Sequence, residues 1–240
     1  MIDESKLIFF TGAPGSKWSA VSNMLSNSPL LEVNTTDRST DRIYTHPTKF
    51  NSAQHLGSYF GPGFEFGQQW DQLHTLTKQD ILDEIALPWD EDQPTAYRIV
   101  KCHQIVNNLD WIVTNFPTSK IVIVLRPTQS CYNGWFGAGG FDITYPTYAE
   151  YYKNDEIATD LINIECRDAR EWIFDNQLPL HIATERHWRD YWKFDNYNER
   201  VDRCIRSLEG YMFASESPKR NLTYDTSIAY YNFQDINKDL

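Results

Sequence analysis

The sequence predicts an α/β fold: a central parallel sheet flanked by helices, with a mainly helical C-terminal part. Two strand-type runs, Leu7-Ile-Phe-Phe-Thr11 and Ile121-Val-Ile-Val-Leu125, stop abruptly in polar residues at Gly12 and Arg126. Near-continuous apolar runs suit strands buried on both faces, as in a parallel sheet. Helical and strand patterns alternate through the first 140 residues, the order of a βα succession. At 240 residues the chain can bury one substantial core, so a single domain over 1–240 is expected.

Each element has its own signal. Residues 6–11 read as a buried strand, and 18–27 as a helix with a polar first turn. Residues 28–50 are mixed and rich in Thr, Asp and Arg. An insertion at about 45–72 interleaves Gly57, Gly61, Pro62, Gly63 and Gly67 with Tyr59, Phe60, Phe64, Phe66 and Trp70, which reads as a loop with aromatic anchors. Residues 75–86 look helical, and 97–102 read as a strand. Val106, Leu109, Trp111, Ile112 and Phe116 follow at mixed helical spacing, closing at Pro117. After the strand 120–125, a helix over 128–136 ends at the glycines from Gly137 to Gly140. From 146 onward the pattern is helical, with one apolar stripe at Ile157, Leu161 and Ile164 and another at Ala158 and Ile162. Residues 185–210 hold a further candidate helix or pair, and 178–183 a short strand.

Composition excludes some classes. Lys and Arg number 22 against 33 Asp and Glu, a formal charge of −11, which argues against a nucleic-acid partner. No apolar run approaches membrane-spanning length, so no membrane partner is expected. The acidic opening Met1-Ile-Asp-Glu-Ser-Lys6 leads straight into a strand without a signal-peptide pattern, and a cytoplasmic location is expected. Cys102, Cys131, Cys166 and Cys204 are widely separated and read as four free thiols. His181 and His187 lie six apart without a completing ligand, and no metal site is expected.

Three strand ends carry the candidate chemistry. Gly12, Pro14, Gly15 and Ser16 link the first strand to a helix. Glycines let the backbone approach an anion, and helix-start N–H groups point at it. The Walker phosphate loop does not fit: starting it at Gly12 puts Lys17 where Gly belongs and Trp18 where Lys belongs, and only Ser19 matches. One residue rotates a helical side chain by about 100°, so the lysine is misplaced. The later strand ends in Arg126, whose planar fork can pair two phosphate oxygens, with Ser130 nearby as a hydroxyl donor. Between the two, Ile99-Val-Lys-Cys-His103 places Lys101 and His103 at a third strand end. A histidine there can act as a base near neutral pH.

Together these elements resemble the sulfotransferases of the P-loop class. Pro14-Gly-Ser-Lys-Trp-Ser19 is similar to the family's phosphosulfate loop, Pro-Lys/Arg-Ser-Gly-Thr-Thr, but has Gly15 in place of the basic residue. The strand ending in Arg126 matches the family's 3′-phosphate strand, although the eighth residue on is Gly134 rather than Ser. Lys101 and His103 match the family's Lys-Thr-His, with Cys102 in place of Thr. The resemblance covers residues 6–25 and 97–136.

The resemblance implies a P-loop nucleotide hydrolase-like fold. It implies 3′-phosphoadenosine 5′-phosphosulfate as donor, adenosine 3′,5′-bisphosphate as product, and no metal. The loop Gly12, Pro14, Gly15, Ser16, Lys17, Trp18 and Ser19 would hold the 5′-phosphate, and Arg126 and Ser130 the 3′-phosphate. His103 would deprotonate the acceptor. Lys17, with Lys101 in reserve, would meet charge on the leaving phosphate. Tyr59, Phe64, Phe66 and Trp70 would shape the pocket for a small-molecule or glycan acceptor. Two alternatives stand: a small-molecule kinase using ATP and magnesium, and a nucleotide-binding protein on a catalytically decayed sulfotransferase scaffold. The sequence leaves the oligomeric state open.

Overall fold

A computed structural model describes residues 2–18, 22, 32–34, 58–59, 75–86, 95–137, 139–142, 152–178, 181–182 and 227–231 of the chain, with backbone only at 58–59, 84, 103, 142, 181–182 and 227–231. Among the described residues the centre is a six-stranded sheet. Its strands are β1 (Leu7–Thr11), β2 (Ser58–Tyr59), β3 (Arg98–Lys101), β4 (Lys120–Leu125), β5 (His181–Ile182) and β6 (Ser227–Tyr231). They lie in the order β2-β3-β1-β4-β6-β5. β2, β3, β1 and β4 are mutually parallel, while β6 runs antiparallel to both β4 and β5. The α/β class with a parallel core is therefore present.

Every residue of β1 and β4 is buried, which accounts for their apolar runs Leu7–Phe10 and Ile121–Leu125. One face of the sheet presents Leu7, Phe9, Val100, Ile121, Ile123 and Leu125 to a core shared with Ile81, Ile85, Leu109, Ile112, Phe116, Ala169 and Ile173. Phe9 and Phe116 meet at 5.2 Å between ring centroids. β4 begins at a buried lysine: Lys120 Nζ donates to the Ser5 carbonyl at 2.9 Å and lies 5.2 Å from the centre of the Tyr97 ring. Burying that ammonium is tolerable because a carbonyl and an aromatic face replace water around it.

The helices follow their capping chemistry. α1 (Lys78–Ala86) starts at Thr77, whose Oγ1 accepts from the Asp80 N–H while Asp80 Oδ2 accepts from the Thr77 N–H at 2.8 Å. The Thr77 hydroxyl also donates to Asp80 Oδ2 at 2.6 Å, and that bond first, with the Thr77 N–H second, holds the Asp80 carboxyl below its ordinary range. The mixed spacing after residue 103 has a structural cause. A 3-10 helix over His103–Asn108 feeds directly into α2 (Leu109–Asn115), so two helical periods run together. α3 (Thr128–Gly137) follows β4.

α4 (Asp155–Asp175) is the longest helix among the described residues. The Asn154 side chain accepts from the Ile157 N–H at 3.0 Å, and Asp155 and Glu156 complement the positive helix start. It buries Ala158, Ile162, Cys166, Ala169 and Ile173, the second of the two stripes, and leaves Ile164 on the outer side.

Among the described residues after 146, α4 is helical as expected, and two strands accompany it. β5 falls within the expected strand 178–183, but β6 was not foreseen. Ser227-Ile-Ala-Tyr-Tyr231 becomes a strand because it closes the open edge of β4 over five residue pairs. β2, likewise, falls inside the segment read as loop. The candidate helix at 18–27 lies mainly outside the described residues, with helical backbone at Trp18 and Ser22, and the candidate at 185–210 lies wholly outside them.

Replacing Asn154 with Ala removes the side-chain cap at the start of α4. Urea unfolding should show a loss of about 1 kcal/mol with an unchanged m-value. No loss would mean that the α4 start does not contribute to the cooperative unit.

Candidate functional site

Because β1, β3 and β4 are parallel, their C-terminal ends share one edge of the sheet. The register pairs Phe10 with Lys101 and Thr11 with Ile123. The loop after Thr11, His103 two residues past Lys101, and Arg126 after Leu125 therefore gather at that edge. The Cys102 N–H donates to the Phe10 carbonyl at 3.2 Å and continues the ladder to the loop.

The loop turns sharply. The Ser16 N–H donates to the Ala13 carbonyl at 2.9 Å. Gly15 and Lys17 have φ of +74° and +73°, while Ser16 between them stays outside the left-handed region. Successive residues of opposite hand turn their N–H groups toward one side, the backbone arrangement that forms anion-binding concavities. The left-handed conformation is open to Gly15 at no steric cost but strained for Lys17. Ser16 is fully buried, and its hydroxyl has no hydrogen-bond partner. A Cβ on Gly12 would lie 2.5 Å from that hydroxyl and 2.5 Å from the Val124 carbonyl, so only glycine admits this close fold-back.

The loop rests on α3. A Cβ on Gly15 would lie 1.8 Å from the Cys131 carbonyl oxygen and 2.6 Å from the Trp135 nitrogen. A Cβ on Gly134 would lie 2.8 Å from the Gly15 carbonyl and 3.1 Å from Arg126 Nη1. Across this contact Arg126 Nη1 donates to the Gly15 carbonyl at 2.9 Å and to the Ser130 carbonyl at 3.3 Å. Arg126 is 7% exposed. Its own carbonyl accepts from Arg170 Nη2 of α4 at 3.0 Å.

The two positions where the sequence differs from the sulfotransferase pattern, Gly15 and Gly134, thus meet in one contact. A side chain at 15 or at 134 would push the loop off the helix. Backbone fills the space that a side chain at 15 would need, and the Gly15 backbone and Arg126 fill the space at 134. The sequence signal was a glycine inside a helix, which often marks close backbone approach. Arg170 carried no comparable signal.

Beneath the loop, Ala13 packs with Cys131, Trp135, Tyr152, Ala158, Ile162 and Cys166. Cys131 and Cys166 are both buried, with sulfurs 3.8 Å apart. Their shared hydrogen bond lowers the pKa of Cys166, aided by Thr128 and Arg170 against burial. The same bond, then burial, pushes Cys131 up.

The remaining candidates fall as follows. Lys101 is fully buried at the end of β3, and Lys17 is half-buried. Pro14 and Trp18 are buried in the loop and its exit. Ser130 meets Arg126 through its carbonyl. His103 opens the 3-10 helix at the carboxyl edge. Tyr59 belongs to β2, the edge strand beside β3. Ser19, Phe64, Phe66 and Trp70 lie outside the described residues. Among the described residues no group of three or more His, Cys, Asp and Glu side chains is placed to hold a metal, and no helix is long and apolar enough to cross a membrane.

Comparisons with protein-family models, with curated proteins and with solved structures find no match to this chain.

The loop–helix contact makes opposed predictions for two glycines of α3. Gly134→Ser should destabilise by about 1–3 kcal/mol through overpacking. Gly137→Ala meets nothing within 4 Å and should be neutral or stabilising, by up to about 1 kcal/mol. Equal melting temperatures for the two variants would contradict the contact.

Proposed function

We propose that this edge of the sheet binds the phosphates of an adenosine nucleotide, and that the protein is a sulfotransferase using 3′-phosphoadenosine 5′-phosphosulfate. The observation that carries the phosphate site is the buried Ser16 hydroxyl, left without a partner inside a turn of alternating backbone hand. A buried hydroxyl without a hydrogen bond is destabilising, and an anion oxygen in the turn would satisfy it. The location supports the same reading. Ligands of open parallel sheets bind outside the carboxyl ends of the strands, and β1 lies between β3 and β4 although they follow it in sequence. The choice of a sulfuryl donor rests on the resemblance of the three strand-end motifs.

In this proposal the loop from Gly12 to Ser19 takes the 5′-phosphate, while Arg126 and Ser130 serve the 3′-phosphate. His103 accepts the proton of the acceptor hydroxyl or amine. As the new bond to sulfur forms, the bond from sulfur to the phosphate oxygen breaks, and negative charge grows on the leaving bisphosphate. Lys17 meets that charge, with Lys101 as the reserve. The acceptor is a small molecule or glycan.

Thermal shift tests the nucleotide step. Adenosine 3′,5′-bisphosphate should raise the melting temperature, and Ser16→Ala should reduce that rise. A larger rise with ATP and magnesium would favour the kinase reading. Since Arg126 also holds the loop, Arg126→Ala is compared on two ligands, the bisphosphate and inorganic pyrophosphate. A loss confined to the bisphosphate marks a 3′-phosphate contact, and a loss of both marks loop positioning.

Transfer of labelled sulfate from the donor to a metabolite extract tests catalysis. His103→Ala should keep the thermal shift and lower transfer by about 10²–10⁴-fold. Lys17→Ala should also slow transfer; an unchanged rate would move that role to Lys101. Binding without any transfer in the unaltered protein would favour the decayed scaffold.

A further inference from the structure

The buried thiols of Cys131 and Cys166 are the strongest feature that the nucleotide reading leaves unused. They stand on different helices, α3 and α4, with sulfurs 3.8 Å apart. A disulfide needs about 2.05 Å, so the sulfurs must close by about 1.8 Å. Packed interiors transmit such movements rather than absorb them, because few voids exist to take up the change.

What the pair touches gives this movement a consequence. The Cys131 carbonyl lies against Gly15, where even a Cβ would be only 1.8 Å away. Ala13 packs in the same buried cluster as both cysteines. One turn along α4 from Cys166, Arg170 donates to the carbonyl of Arg126, whose own guanidinium holds Gly15. Both helices that carry sulfur therefore also carry contacts that set the loop.

We propose that Cys131 and Cys166 form a reversible disulfide that controls anion binding by the Gly15–Ser16 turn. The inference rests on the nucleotide reading of that turn and adds its regulation. The oxidant is a peroxide. The sulfur of Cys166 attacks one peroxide oxygen, the O–O bond breaks, and the departing oxygen leaves as water, giving a sulfenic acid. The sulfur of Cys131 then attacks that sulfur, the S–O bond breaks, and the hydroxyl leaves as a second water with the Cys131 proton. Two thiols and one hydrogen peroxide become one disulfide and two waters. The polarity of the pair suits this order, since Cys166 is the more acidic thiol and Cys131 keeps its proton. A dithiol reverses the reaction by exchange.

The test uses the full chain, reduced with dithiothreitol or treated with hydrogen peroxide. Peptide mass mapping locates any disulfide, and titration with adenosine 3′,5′-bisphosphate and with inorganic pyrophosphate reads the turn. Oxidation should give a Cys131–Cys166 cross-link and weaken both ligands at least about 10-fold (about 1.4 kcal/mol), with dithiothreitol restoring them. Cys166→Ala and Cys131→Ala should bind equally well with and without peroxide. A mapped cross-link with unchanged affinity overturns the control while leaving the nucleotide reading intact. The absence of this cross-link, or a different pairing, overturns it too. If the reduced protein binds neither ligand, the nucleotide reading and this inference fall together.

Discussion

The site depends on one contact, the bare backbone of Gly15 pressed against α3. It works only because neither Gly15 nor Gly134 brings a side chain to the interface. Arg126 then bridges the two elements, donating to a loop carbonyl and to a helix carbonyl from one nitrogen. A buried guanidinium is costly without acceptors. Here the carbonyl oxygens provide them, and in return the charge holds the loop in register with the helix.

That contact explains why the loop has its hand. With Gly15 held from below, the chain must reverse between Ala13 and Lys17, and it does so by alternating handedness. Lys17 accepts a left-handed conformation that costs on the order of 1–2 kcal/mol. Ser16 is left buried with an unsatisfied hydroxyl. Strain and an orphaned polar group in adjacent residues persist when surrounding packing over-determines them. β1, β4 and α3 supply that packing. The proposed nucleotide site and the proposed thiol control are therefore two uses of one arrangement: the ligand would engage the turn from its open side, and the disulfide would move the surface under it.

Much of the scaffold was legible because it is locally encoded. The strands 7–11, 98–101 and 120–125 are short, with apolar centres bounded by polar residues, and they were expected within a residue or two. A helix over 128–136 ended by glycines and a helical pattern from 146 onward were also expected, and α3 and α4 fall there. The errors came from partners. β6 carries few aliphatic residues and is a strand because β4 needed an edge. The face of α4 was ambiguous in sequence, since two stripes compete and only packing against the loop cluster and the sheet chooses between them. At the site, residue types at strand ends pointed to Gly12, Ser16, His103 and Arg126. The reason for glycine at 15 and 134 was invisible, because it lies in a contact between residues more than a hundred positions apart.

By itself the sequence determined the class of fold, the parallel strands of its centre, and the convergence of a glycine–serine turn, a histidine and an arginine at strand ends. Those features are written in periodicity and in turn chemistry, which act over a few residues. Only the tertiary structure decided that the arginine faces carbonyls of loop and helix, that two glycines form one seat, and that two distant cysteines lie in contact beneath it. Such features depend on which surfaces meet when the sheet closes, and no local pattern specifies that.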